Sequence, residues 1–446
     1  MVVTIVVLLI LAGVSISLIV DNNGIIKRSK DARSKYGEAK DNEQADLNKV
    51  SEWIEKQANG NEETTKPIKV AVNEKATSNG TINGEEGKSN NPTIPEGYIP
   101  INTDTSNWGD GSSAPTQDSV DHGLVIKDDS NNEWVWIPVD KKTLATMYET
   151  SSDEKTLCGT TGETAVKTKL YSKSEIISGK TRTTPGTTSS YREPDLVIGS
   201  GTSNDAKEAY YKTILGFESK EKMAEAFVTD YNEMLASISK YGGFYIGRYE
   251  LSSVGVQKDK ETLINTNWYN LYKKCKELNA SNKVETRMIW GCQWDVTMNW
   301  LISSGAKTSD EVNNDSSSWG NYNKTSVKAD DGTTVIKASG TTSKLNTGKT
   351  TFTMANNIYD LAGNCDEWTQ EAYDDFGRAY VGSGCYEDGS YTPASFRYFE
   401  SPDNIYGSDY RRFSSHFNNK VTLRFIIQES PWKKGSFFGI IKYERK

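Results

Sequence analysis

The chain has 446 residues, with 52 Lys and Arg against 60 Asp and Glu, for a formal net charge of −8. That length suffices for one large domain or two smaller ones. An acidic balance with no basic block argues against nucleic acid as a partner. Two histidines, His122 and His416, leave no basis for His-rich metal chemistry. Five cysteines (Cys158, Cys275, Cys292, Cys365 and Cys385), odd in number and without CxxC spacing, support neither a zinc site nor a disulfide framework. Cys275 shares a helical face with Trp268, Leu271 and Leu278 and reads as a small core residue. Outside the cell Cys365 with Cys385, or Cys275 with Cys292, could bridge, and the sequence does not choose between them.

Val2 to Val20 carries no charge and is rich in Val, Ile and Leu. As a helix it would be about 28 Å long, close to a bilayer core of about 30 Å, so a membrane span through residues 2–20 is expected. The rival reading, a cleaved signal, lacks both a basic n-region and a small-x-small cleavage site. After Asp21-Asn22-Asn23-Gly24-Ile25-Ile26-Lys27-Arg28 a polar segment follows, with Leu47, Val50 and Ile54 on one narrow helical stripe. This apolar-then-amphipathic arrangement over 1–58 resembles type IV pilins and pseudopilins, in particular those of Gram-positive bacteria. The resemblance implies an extracellular domain behind the anchor and other pilin-like subunits as partners. Lys27, Arg28, Lys30, Arg33 and Lys35 alone would favour the opposite orientation. The extracellular reading is preferred because the downstream domain has extracellular character.

Residues 59–94 are dominated by Gly, Asn, Ser, Thr, Glu and Lys, a composition that buries too little apolar surface to offset ordering, and are expected to be a flexible linker. Within it Pro67 to Val72 has strand character without a visible partner. Polar tracts at about 150–205 and 306–350 read as long surface insertions.

A folded domain is expected over 95–427. Glu133 to Val139 is strand-like, ending at a Pro that stops the ladder. Ser219 opens a helix with Phe227, Tyr231, Met234, Leu235 and Ile238 on one face, closed by Gly242-Gly243. Phe244 to Glu250 reads as a strand and Thr266 to Asn279 as a helix. Trp290 to Asp295 leads a third helix whose Trp294, Met298, Leu301 and Ile302 face the core. The class is α+β.

Four segments in order resemble the formylglycine-generating-enzyme-like (sulfatase-modifying factor) branch of the C-type lectin fold. Phe244-Tyr245-Ile246-Gly247-Arg248-Tyr249-Glu250 is similar to its Phe-Tyr-Ile-x-Lys/Arg-Tyr-Glu strand. Asn267-Trp268-Tyr269 through Cys275 is similar to its Ser-Trp-containing helix. Glu285-Thr286-Arg287 with Gln293-Trp294-Asp295 resembles its Arg-Leu-Pro-Thr-Glu-x-x-Trp-Glu run, without the Pro. Asn357 to Tyr373, containing Asn-Ile-Tyr-Asp-Leu-Ala-Gly-Asn, resembles its signature. The expected architecture is therefore a C-type lectin-like fold preceded by a long transmembrane or pilin-like α-helix.

In the signature, Gly363-Asn364 suits a tight turn and Trp368 supplies a large buried body. Asn364, Asp366 and Glu367 can offer oxygens to a structural calcium, which some members of the fold bind; a turn followed by a solvated acidic pair is the simpler reading. Where the family has Val-Trp-Glu-Trp, this chain has Cys365-Asp366-Glu367-Trp368.

The oxidase members hold copper with two cysteines a few residues apart, because soft thiolates select Cu(I). Here Val381-Gly382-Ser383-Gly384-Cys385-Tyr386-Glu387-Asp388 retains one, and the histidine cluster of the sulfoxide synthases is missing, so no catalytic residue is assigned. In its place stand Tyr386, Asp388, Ser390, Tyr391, Phe396, Tyr398, Phe399, Asn404, Tyr406, Ser408, Asp409, Tyr410, Arg412, Ser414 and His416, the Tyr, Ser and Asn palette of binding surfaces. This region also resembles the ligand-binding face of retroelement-diversified variable proteins, with Pro393-Ala394-Ser395-Phe396-Arg397 similar to their framework. Val421 to Ile427 alternates like a closing strand, and 428–446 is a tail of unassigned role.

The resulting expectation is a non-catalytic, cell-surface, adhesin-like protein that binds a protein or glycan, with retroelement diversification as its finer form. The alternatives are a sulfatase-modifying oxidase and a structural pilus subunit.

Overall fold

The computed structural model describes residues 67–157, 166–172, 191–198, 208–278, 284–373, 377–404, 421–423 and 425–429. They form a mixed α/β structure with several small sheets. Two sheets and three helices position the candidate site. Strands β1 (Ile99–Ile101), β2 (Val125–Lys127), β3 (Glu133–Pro138), β4 (Gly243–Gly247) and β5 (Val284–Met288) belong to the larger sheet. Strands β6 (Asp366–Ala372), β7 (Arg378–Val381), β8 (Arg397–Glu400) and β9 (Val421–Leu423) form the smaller one. Strand β10 (Phe425–Glu429) returns to the larger sheet, whose order is β1-β2-β3-β4-β10-β5, with every pairing antiparallel. The smaller sheet runs β8-β7-β6-β9, antiparallel except for the parallel β6–β9 pair.

The single closing strand expected over Val421 to Ile427 is thus two strands in two sheets. The second continues to Glu429, past the expected domain boundary at 427. Alternation of apolar residues signals an extended chain but carries no information about which sheet receives it.

Helix α1 (Lys220–Tyr241) starts where Ser219, in extended backbone, accepts a hydrogen bond from Lys222 N, and ends where Gly242 takes φ 74°. Its Phe227, Tyr231, Met234, Leu235 and Ile238 are all buried, each contributing on the order of 2 kcal/mol of gross apolar burial. Helix α2 (Trp268–Glu277) is capped by the Asn267 side chain, which accepts from Asn270 N at 3.0 Å. It buries Trp268, Leu271 and Cys275. Helix α3 (Gly291–Ser303) buries Trp294, Met298 and Leu301 on the expected face, while Ile302 is half-buried. Its first two free amides, Gly291 N and Cys292 N, donate at 2.8 and 2.6 Å to the buried carboxylate of Glu193, which complements the helix dipole.

The described part of the expected linker, 67–94, is folded. Ile68–Lys69 pairs in parallel with Gly80–Thr81, and Val70, Ala76, Ile82 and Ile94 are buried. Trp136 Nε1 donates to Ser89 O at 2.8 Å and Tyr245 hydroxyl to Thr93 O at 2.9 Å, so the polar segment is held by core aromatics. Composition misleads here because a few apolar residues at the right places, together with backbone hydrogen bonds to the sheet, replace a core of the segment's own. The 306–350 tract likewise sends Trp319, Tyr322 and Val327 inward.

Residues 1–66, with the expected membrane span and amphipathic stripe, lie outside the described residues, as do 430–446 of the expected tail. No helix among the described residues is long and apolar enough to cross a membrane. Cys275, Cys292, Cys365 and Cys385 are all buried.

Replacing Ser219 by Ala should lower stability by about 1 kcal/mol through loss of the α1 cap, read as a shifted urea midpoint at unchanged slope. An unaltered midpoint would contradict the assigned cap.

Candidate ligand-binding face

The face is built outward from one turn. Gly363 and Asn364 both take positive φ, 72° and 65°, and a Cβ on Gly363 would sit 2.5 Å from Asn321 O. The Asn364 side chain is buried and bonded on both atoms. Its Nδ2 donates to Glu250 Oε2 at 2.7 Å and Leu345 O at 3.3 Å, and its Oδ1 accepts from Asn321 Nδ2 and Leu345 N, each at 2.9 Å. Glu250 further accepts from Thr262 Oγ1 at 2.8 Å and Cys365 N at 3.2 Å. One amide therefore joins the residues after β4, two points of the 306–350 tract and the start of β6.

All of β6 is buried although five of its seven residues are polar. Several of their groups are hydrogen-bonded: Thr369 Oγ1 donates to Ala379 O at 3.0 Å, Gln370 Nε2 to Met288 O at 2.7 Å, and Glu371 accepts from Arg397 Nε at 2.8 Å. The solvated acidic pair expected at Asp366 and Glu367 is instead interior. Asp366 accepts a hydrogen bond from the Tyr386 hydroxyl. Burial pushes the Asp366 carboxyl well above its usual range despite that bond. Asn364 and Asp366, two of the three residues considered for calcium, are thus engaged separately. Among the described residues no group of three or more His, Cys, Asp and Glu side chains converges for a metal.

From β7 the chain turns through Gly382 and Ser383, both at positive φ, into the loop that carries the first predicted binding residues. The 306–350 tract braces this loop. Asn323 N donates to Glu387 O at 2.9 Å, Ser316 N to Gly389 O at 3.1 Å, and Ser395 N to Val312 O at 3.2 Å. Ser316 Oγ accepts from Ala394 N at 2.9 Å, and Lys324 Nζ meets Asp388 Oδ2 at 2.6 Å. Burial works to raise the Asp388 carboxyl, but the Lys324 ammonium and Ser390 outweigh it and hold the group below its usual value. Asp388 Oδ1 also accepts from Ser390 N and Oγ, and Asp388 O from Tyr391 N, forming a compact turn. The turn presents Tyr391 with 74% of its surface exposed.

Strand β8 is fixed from below by Arg397, whose buried guanidinium pairs with Glu371 and Asp295 and donates to Gly291 O at 3.1 Å. The buried Ser395 and Arg397 of the framework run are therefore structural. Above them the rings of Phe396, Tyr398, Phe399 and Tyr373 form a near-parallel row, with centroid spacings of 6.4, 5.4 and 3.8 Å. Tyr398 is 41% exposed.

Of the predicted binding residues, Ser390, Tyr391, Tyr398 and Asn404 are exposed, and Phe396, Phe399 and Asp388 are half-buried. Tyr386 departs from expectation: its hydroxyl is turned inward to Asp366, beside which the loop enters. Tyr406, Ser408, Asp409, Tyr410, Arg412, Ser414 and His416 lie outside the described residues. Sequence reasoning missed Lys324 and Ser316, the braces of the loop. Neither carries a local signal, since their role exists only once the insertion folds against it.

No family model matches the chain, and no curated protein does. Among solved structures it is similar to Treponema denticola variable protein 1, at 14% identity over 42% of this chain and 84% of that one, with a TM-score of 0.24. A score of that size does not establish a shared fold.

Two variants probe the base of the face. Asn364→Ala leaves Glu250 and the Leu345 amide short of partners and should cost about 3 kcal/mol or more, measured by denaturant unfolding. The raised Asp366 carboxyl means that, above the usual carboxylate pKa near 4, the folded chain keeps a proton the unfolded chain has released. Its contribution is therefore complete below about pH 4 and lost as pH rises through the folded value. Asp366→Asn should remove that downward slope, so the variant gains on the parent chain between pH 4 and 7. Parallel stability curves would refute the assignment.

Proposed function

We propose that the chain is a non-catalytic ligand-binding protein that displays Tyr391, Tyr398, Ser390 and Asn404 toward a protein or glycan at the surface of a bacterial cell. The observation that carries this reading is the pairing of exposed tyrosines with a buried hydrogen-bonded base. Rigid support lowers the entropy lost on binding, and tyrosine offers large amphipathic area with few rotatable bonds.

The finer reading is a formylglycine-generating-enzyme-like C-type lectin domain behind a pilin-like membrane anchor, its outer loop diversified by a retroelement. It is supported by the order of the four family-like segments, which fall on β4, α2, the β5–α3 unit and β6. It is further supported by the separation within the loop between inward framework residues, Ser395 and Arg397, and outward ones.

One observation favours a second reading, an oxidase acting on a peptide cysteine. Cys385 N donates to Asn364 O at 3.0 Å, which brings Cys365 near Cys385. Copper-dependent oxygen uptake with a Cys-containing peptide, abolished by Cys385→Ser, would select it.

Immobilised protein presented to glycan and surface-protein arrays should retain a ligand. Tyr391→Ala and Tyr398→Ala should each weaken that binding at least tenfold, the loss expected when a central aromatic contact of about 1.4 kcal/mol or more is removed. Tyr391→Ala should leave the melting temperature unchanged. A blank array, or variants that bind like the parent, would count against the proposal.

A further inference from the structure

Cys385 stands at the root of the outer loop and Cys365 at the entry to β6. The hydrogen bond from Cys385 N to Asn364 O, the carbonyl preceding Cys365, limits the separation of the two α-carbons to about 7 Å by standard peptide dimensions. That limit takes in the usual span of a disulfide, about 4.4–6.8 Å between α-carbons. Both side chains are fully buried. Their surroundings are held from several sides: Cys365 N donates to Glu250, and Cys385 Sγ donates to Thr342 O at 3.1 Å. By contrast, Cys275 lies in the core face of α2 and Cys292 in the first turn of α3 under Glu193.

We propose that Cys365 and Cys385 join in a disulfide as the chain folds in an oxidising compartment, tying the root of the outer loop to the start of β6. The oxidant is a small-molecule or protein disulfide. One cysteine thiolate attacks it, forms a mixed disulfide and expels a thiolate. The second cysteine then displaces the other sulfur, so two cysteine thiols are oxidised while one disulfide is reduced to two thiols, which take up the two protons. Burial, with Glu250 adding to it, raises the Cys365 thiol well above its usual range. The exchange therefore belongs to the folding chain, before that environment closes over the sulfur.

The bond deepens the binding proposal by fixing the loop that carries Tyr391, but its test does not depend on any ligand. The full chain, reduced and unfolded, is refolded in detergent with a mixture of oxidised and reduced glutathione, then alkylated and digested without reduction. We expect a cross-linked peptide pair containing Cys365 and Cys385, lighter by two hydrogens than the sum of its free peptides. The oxidised protein should melt about 5 °C or more above the same protein after reduction. In Cys365→Ser, Cys385 should be recovered alkylated. Should that variant fail to fold, the map of the parent chain decides. Full alkylation of both residues, or a bond from either to Cys158, Cys275 or Cys292, overturns the proposal. Intact bonding with an empty ligand array would leave the bridge standing and remove only the binding reading.

Discussion

The buried amide of Asn364 is the interaction on which the rest of the structure depends. A primary amide has two donors and one oxygen with two lone pairs. Here it meets Glu250 beyond β4, Leu345 and Asn321 in the long polar tract, and through its own backbone starts β6. Buried polar groups of this kind stabilise little when satisfied and cost much when they are not, so they select one arrangement rather than simply adding strength. The left-handed backbone at Gly363 and Asn364 makes the arrangement possible, since the Asn321 backbone occupies the space a side chain at 363 would need.

A second polar layer builds on the first. Arg397, Glu371 and Asp295 form an interior ion cluster that ties β8 to β6 and α3. Removing one member of such a cluster leaves a buried charge uncompensated, which is far more costly than the cluster's own net contribution. The exposed rings of Tyr391 and Tyr398 take no part in these bonds. Display and support are carried by different residues, and that division is the physical basis of the binding proposal.

Much of this was legible in the sequence. The caps Ser219 and Gly242, the buried face of α1 and the Gly363-Asn364 turn follow from local rules of spacing and backbone preference. What escaped were features created only by tertiary contact. Residues 67–94 look like a linker because their few apolar side chains are supplemented by hydrogen bonds from the distant Trp136 and Tyr245 to the Ser89 and Thr93 carbonyls, which no local pattern announces. Asp366 looks solvated because nothing local indicates that Tyr386, twenty positions later, will return to cover it. The braces at Ser316 and Lys324 were hidden for the same reason, in a tract whose composition suggests only a surface excursion.

Strand β10 sits between β4 and β5 in the larger sheet, although it is the last described strand to be made. Until Phe425 to Glu429 arrive, β4 and β5 each show an open row of amides and carbonyls toward the gap. Ordering across so long a stretch of chain is slow, because distant segments must meet before either is rewarded. The larger sheet therefore closes only when the last described strand inserts, joining two halves that until then share no ladder across the gap.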